Sequence, residues 1–89
     1  MDLQDFSQQG EGHQEDKMTA WKLFQQAYES QMKGKFEEAV QLYKNSIEVF
    51  PTAEAYTFLG WTYSFMGHLP EAIEECHRAI QTDPDFGNP

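Results

Sequence analysis

The sequence predicts an all-α protein built as two antiparallel helical hairpins stacked side by side. Three observations predict it. The chain repeats itself at a spacing of 33 residues: Gly34-Lys35-Phe36-Glu37-Glu38-Ala39 recurs as Gly67-His68-Leu69-Pro70-Glu71-Ala72, and Pro51 recurs as Pro84. A fixed period of this size marks a stacked repeat. Within each period the apolar residues fall at helical spacing, and the breaks between apolar runs are short enough to force consecutive helices antiparallel.

The first helix is expected over about 18–32. At 100° per residue Trp21, Phe24, Tyr28 and Met32 form one stripe, with Ala20, Leu23 and Ala27 beside it. Lys22, Gln25, Gln26, Glu29, Ser30 and Lys33 take the other side, and Gly34 stops the helix. The second helix, about 36–49, carries Phe36, Ala39, Val40, Tyr43 and Ile47 on one face, with Glu37 and Glu38 where the helix dipole favours negative charge. Pro51 ends it, because the residue before proline is pushed out of the α region.

Thr52 is an N-cap residue for a third helix, about 53–66. Glu54 is its only charge, and Tyr56, Phe58, Leu59, Trp61, Tyr63, Phe65 and Met66 crowd it. A helix apolar nearly all round is buried on several sides or keeps one side for a ligand. Gly60 costs about 1 kcal/mol against alanine inside a helix, which implies close approach of a neighbour. The fourth helix, about 69–81, takes Pro70 in its first turn and repeats the stripe with Leu69, Ala72, Ile73, Cys76 and Ile80.

Outside the helices, residues 1–16 are polar and acidic, with Leu3 and Phe6 as the large apolar residues, and are expected to form a flexible tail. Leu3 and Phe6, three apart, could together dock one turn. The repeat domain is expected over 17–85, with repeat one about 20–52 and repeat two about 53–86, followed by a short C-terminal end, 86–89.

The net charge of -9 comes from both the tail and the helical part. Such a surface repels nucleic acid and anionic membranes and favours a basic partner. The single cysteine, Cys76, allows no internal disulfide and reads as a small buried hydrophobe. No apolar run approaches the about 18 residues of a membrane span, and the acidic start is unlike a secretory signal, so the expected location is cytoplasmic. His13, His68 and His77 lie apart, and neighbours Cys76 and His77 point about 100° from each other on a helix, so neither a metal nor another cofactor is expected. No phosphate loop or nucleophile motif is present, and no enzymatic activity is expected.

Tyr56, Leu59-Gly60, Tyr63, Ala72, Ala79 and Pro84 resemble the tetratricopeptide repeat: an aromatic, a Leu-Gly pair and a Tyr on one helix, then Ala and Pro on and after the next. Cys76 stands where that family has Phe. The preceding period resembles it less closely: Ala27, Gly34, Phe36, Ala39, Tyr43 and Pro51 fit, while Gln26 and Ser30 replace Leu and Tyr. The resemblance implies a fragment of a right-handed α-solenoid that carries a further helix over its last hairpin in most members. It also implies a protein-binding role, with a peptide held on the concave face by the first helix of each repeat. Transferred by register, that face takes Trp21, Phe24, Tyr28 and Gln31 from the first hairpin, and Glu54, Thr57, Trp61, Ser64 and Phe65 from the second. Leu23, Ala27, Leu59 and Tyr63 read as core. Trp21, Tyr28 and Trp61 are equally readable as groove or as packing between helices. One subfamily clamps acidic chaperone C-termini with Lys, Asn and Arg, but Phe24, Tyr28 and Phe58 stand here where the first Lys and the Asn residues of that clamp would be. An apolar or basic protein segment is the implied partner, with chain-to-chain pairing of hairpin faces as the alternative role.

Overall fold

The computed structural model describes the backbone of residues 2–85 and the side chains of residues 14–85. Four helices follow one another: α1 (Asp2–Met32), α2 (Phe36–Val49), α3 (Ala53–Phe65) and α4 (Leu69–Thr82). Each packs on the next, α1 on α2, α2 on α3 and α3 on α4, so the chain forms two helical hairpins joined through α2 and α3.

The punctuation is the same in both hairpins. Gly34 and Gly67 close the first helix of each, at φ +79° and +81°, a region glycine enters without a Cβ clash. At the first turn the Lys35 amide donates to the Ser30 carbonyl (2.8 Å) and Gly34 to Gln31 (3.0 Å). At the second, His68 donates to Tyr63 (2.9 Å) and Gly67 to Ser64 (3.1 Å). These paired bonds satisfy carbonyls that a helix end otherwise leaves open. The second helix of each hairpin ends in extended backbone at Phe50 and Asp83, immediately before Pro51 and Pro84. Thr52 caps α3, its Oγ1 accepting from the Ala55 amide at 3.2 Å. Pro70 sits in the first turn of α4, where its missing N–H leaves no helical bond unmade.

Three expectations are corrected. The stretch 1–16, expected as a tail outside the first helix, is helical from Asp2. It contains no proline, the residue that most strongly interrupts a helix. The side chains of Leu3 and Phe6 and the end 86–89 lie outside the described residues. Cys76 is exposed rather than buried: its Sγ lies beside Gly60 of α3, but among the described residues no further helix covers its outer side. Leu23 is half-buried rather than core.

The core is formed by Ala27, Ala39, Tyr43, Leu59, Tyr63 and Ala72, with Phe24, Val40, Ile47, Phe58 and Met66 packed against it. The small residues set the helix spacing. A Cβ on Gly60 would lie 3.1 Å from the Ala72 carbonyl oxygen and 3.4 Å from Cys76 Sγ, which is the close approach that its place in mid-helix implies. Polar clasps tie the helices together. The Tyr43 hydroxyl donates to Gln31 Oε1 at 2.7 Å, joining α2 to α1. The Ser46 hydroxyl donates to the Ala20 carbonyl at 2.7 Å, joining the same pair near its other end. Burial pushes the Tyr43 phenol well above its usual range, with nearby Tyr28 adding to the effect.

Candidate functional site

The packing of α1, α2 and α3 brings six aromatic rings into one connected set. Trp21 stacks on Phe24 with ring centroids 5.4 Å apart and 9° between planes. Phe24 meets Phe58 at 5.0 Å, and Phe58 meets Trp61 at 5.0 Å. Tyr28 reaches Phe58 at 6.0 Å and Tyr43 closes on Phe24 at 5.5 Å from below. Ring pairs in this geometry contribute about 0.5–1.5 kcal/mol each beyond the area they bury. The set is anchored in the core through Tyr43, yet its outer members stay open to water: Trp21 is 56% exposed, Tyr28 43% and Trp61 51%.

Two hollows flank Trp21 and Phe24. One, of about 490 Å³, lies between Trp21, Phe24, Tyr28 and Phe58, with Gln25 and Glu29 at its edge. The other, of about 260 Å³, lies between Trp21, Phe24 and Phe50, with Lys17 and Glu54 at its edge. Of the nine residues expected on the concave face, the structure brings Trp21, Phe24, Tyr28 and Trp61 into the ring set, and Glu54 onto the smaller hollow. Thr57 is half-buried. The exposed Ser64 turns its hydroxyl back onto the Trp61 carbonyl at 2.7 Å. Phe65 stands apart from the set, stacked instead on Phe36 at 5.7 Å. Gln31 is inside, 9% exposed, with Oε1 accepting from Tyr43 and lying 3.2 Å from Thr62 Oγ1. It belongs to the packing between helices rather than to the open face.

Phe58 is the hub of the ring set and was not among the expected site residues. The repeat spacing holds the clue: Phe58 corresponds to Gln25 one period earlier. A position that is polar on the first helix of repeat one and aromatic on the first helix of repeat two is where the second hairpin meets the first.

A separate apolar stripe runs along α4. Leu69, Ile73 and Ile80 are 58%, 60% and 59% exposed, with Cys76 exposed among them. Their counterparts one period earlier, Phe36, Val40, Tyr43 and Ile47, are half-buried or buried, because α3 covers them. Glu74 and Glu75 lie off this stripe, held by Arg78, which donates to Glu74 and, at 2.7 Å, to Glu75. Burial raises the Glu75 carboxyl above the usual carboxylate range, and Glu74 adds to the rise, while the charge of Arg78, its hydrogen bond and Lys44 oppose it.

Among the described residues, no group of three or more His, Cys, Asp or Glu side chains is placed to hold a metal ion. No helix of the described residues is long and apolar enough to cross a membrane.

The family model of the tetratricopeptide repeat matches residues 53–86. That span takes in α3, the Gly67 turn, α4 and Pro84. It is the hairpin in which Leu59-Gly60, Tyr63, Ala72 and Ala79 make the buried contacts. The repeat is typically a non-catalytic module for protein–protein interaction. Residues 53–86 thus match the tetratricopeptide repeat, and the all-α chain sets them against a second hairpin of the same construction.

Proposed function

We propose that the chain holds an extended peptide, or a segment of a partner protein, on the aromatic face formed by α1 and α3. The observation that carries this reading is the ring set itself. It is rooted in the core, so its geometry is fixed before binding, and Trp21, Tyr28 and Trp61 still present about half of their surface. Rigid aromatics of this kind are the usual energetic anchors of an interface, and they lose little conformational entropy when covered. Trp21, Phe24, Tyr28 and Trp61 are the anchors, Phe58 supports them, and Glu54 and Thr57 border them. The partner is a protein segment of apolar or basic character, as the chain's net charge of -9 favours. A cytoplasmic setting suits a chain whose only cysteine lies exposed.

The test is the variant Trp21→Ala/Trp61→Ala. Both rings are more than half exposed, so the fold survives and the helical circular dichroism is unchanged. Partners retained by the wild-type chain are lost. Undiminished retention by a folded double variant refutes the reading.

A second reading is favoured by the α4 stripe. Leu69, Ile73 and Ile80 form an apolar strip of the kind that pairs hairpin faces between copies of the chain. Light scattering over a concentration series separates the two readings. A mass held at 10.3 kDa throughout excludes self-association, and a doubled mass supports it.

A further inference from the structure

We propose that the larger hollow beside Trp21 takes an arginine side chain of the bound peptide, its guanidinium flat on the Trp21 and Tyr28 rings and paired with Glu29. This inference rests on the reading of the aromatic face as the peptide site and names the chemistry that the face selects.

Three observations carry it. The hollow, about 490 Å³, is walled by Trp21, Phe24, Tyr28 and Phe58, and its one charged lining residue is Glu29. Exposed aromatic faces beside a carboxylate attract a cation, through the ring quadrupole and through charge. Next, the cations that lie over rings among the described residues use other rings: Lys17 lies 5.4 Å from the Phe50 centroid and Lys44 5.9 Å from the Tyr63 centroid. The smaller hollow already has Lys17 in its lining beside Glu54, so a peptide cation is directed to the Tyr28 side. Finally, the ion pairs of the described residues join His68 to Glu71 and Arg78 to Glu74 and Glu75. Glu29 is in none of them, and its charge is available to a partner. Arginine fits better than lysine because a planar guanidinium stacks on a ring while its edge donates two parallel bonds to one carboxylate. The acidic surface of the whole chain draws such a peptide in.

The experiment is a fluorescence titration that reads Trp21 and Trp61, the two tryptophans of the chain. The probes are a short arginine-containing peptide and its lysine, citrulline and leucine counterparts. Citrulline keeps the planar shape and loses the charge. The arginine peptide binds tightest, and the citrulline peptide binds about two- to five-fold more weakly, the scale of one exposed cation–π contact. Glu29→Gln and Tyr28→Leu each weaken the arginine peptide by a few-fold. Glu29→Gln leaves the leucine peptide unchanged. If citrulline or leucine peptides match arginine, the inference is overturned. The aromatic-face reading survives that result provided Trp21→Ala removes their binding. If arginine binding is indifferent to Trp21→Ala, Tyr28→Leu and Glu29→Gln, it is diffuse attraction to an acidic surface, and the inference is likewise overturned. If no peptide of the set binds, the arginine assignment fails, while the aromatic face still stands or falls on the Trp21→Ala/Trp61→Ala test.

Discussion

The clasp between α1, α2 and α3 contains a reserve hydrogen bond, and removing hydroxyls one at a time exposes it. Gln31 Oε1 accepts from the Tyr43 hydroxyl at 2.7 Å. Thr62 Oγ1 also lies 3.2 Å from that oxygen, but Thr62 has one hydroxyl proton, and the Phe58 carbonyl at 2.8 Å is the nearer acceptor. In the native chain Tyr43 therefore serves Gln31, and Thr62 serves Phe58. Tyr43→Phe leaves a buried amide oxygen without its donor, a defect of about 1–3 kcal/mol. The Thr62 proton then swings to Gln31, because the Phe58 carbonyl keeps the bond from its own helix. The cost falls to the lower end, about 1 kcal/mol, or about 4–8 °C in Tm for a domain of this size. Thr62→Val alone removes a bond that the helix carbonyl does not need and costs less than that. In the Tyr43→Phe background the same change removes the last donor, and its cost rises by at least about 1 kcal/mol. Urea unfolding followed by circular dichroism on the four proteins gives the coupling directly. Equal cost of Thr62→Val in both backgrounds, within the about 0.3–0.5 kcal/mol of ordinary additivity, refutes the reserve-donor argument.

Other outcomes follow from single contacts. Gly60→Val forces branched carbons against the Ala72 carbonyl, already 3.1 Å from a Cβ built there, and is expected to cost at least about 2 kcal/mol in thermal unfolding; wild-type stability would mean α3 and α4 are not in that close contact. Glu75→Gln is expected to stabilise the chain at neutral pH. The folded-state pKa of Glu75 is raised, chiefly by burial, so its contribution is full below the unfolded carboxylate pKa and is lost as pH rises through the folded value. Arg78 and Lys44 moderate the effect and Glu74 adds to it, and the gain of the variant should vanish on acidification; a gain independent of pH would assign it to something other than titration. Thr52→Ala removes the cap accepted from Ala55 and is expected to cost about 1 kcal/mol, read from the same unfolding curves.

The elements that read correctly from sequence are those whose cause is local or repeated. Gly34 and Gly67 stop helices because their conformation is left-handed, and Pro51 and Pro84 stop them because the preceding residue cannot stay helical. Gly60 made sense only as a close approach, and the Ala72 carbonyl is what approaches it. Where the reading failed, the cause was tertiary. Cys76 occupies a stripe position that is buried in repeat one, but burial there depends on a covering helix, which is not a property of α4 itself. Gln31 fell at a concave-face position by register, and its burial follows from Tyr43, twelve residues away, reaching back to it. Phe58 was hidden for the converse reason: among so many aromatics in one helix, composition cannot say which one meets the neighbouring hairpin. The extent of α1 was missed because the stretch 1–16 shows no apolar helical period and carries Gly10 and Gly12, which lower helix propensity, whereas the helix runs from Asp2.

The repeat also supplies an internal control for the open side of α4. Val40 and Ile73 occupy the same place in their hairpins, one period apart, yet Val40 is half-buried against the core while Ile73 is 60% exposed. The same chemical change at both should therefore have different consequences. Val40→Asp places a carboxylate against α3 and the aromatic core and is expected to cost several kcal/mol, because a buried charge without a partner keeps little of its hydration. Ile73→Asp places it in water, on a helix whose first half already favours acids, and is expected to stay within about 0.5 kcal/mol of wild type. Thermal melts at low and high protein concentration decide what the exposure means. If Ile73→Asp is neutral at both, the stripe is a free surface and the aromatic face alone carries partner binding. If Ile73→Asp is neutral when dilute and costly when concentrated, a second copy covers α4, and the self-associating reading gains the support that the aromatic face then loses. If Ile73→Asp is as damaging as Val40→Asp even when dilute, the stripe is covered within one chain, and the arrangement of α4 described above is wrong.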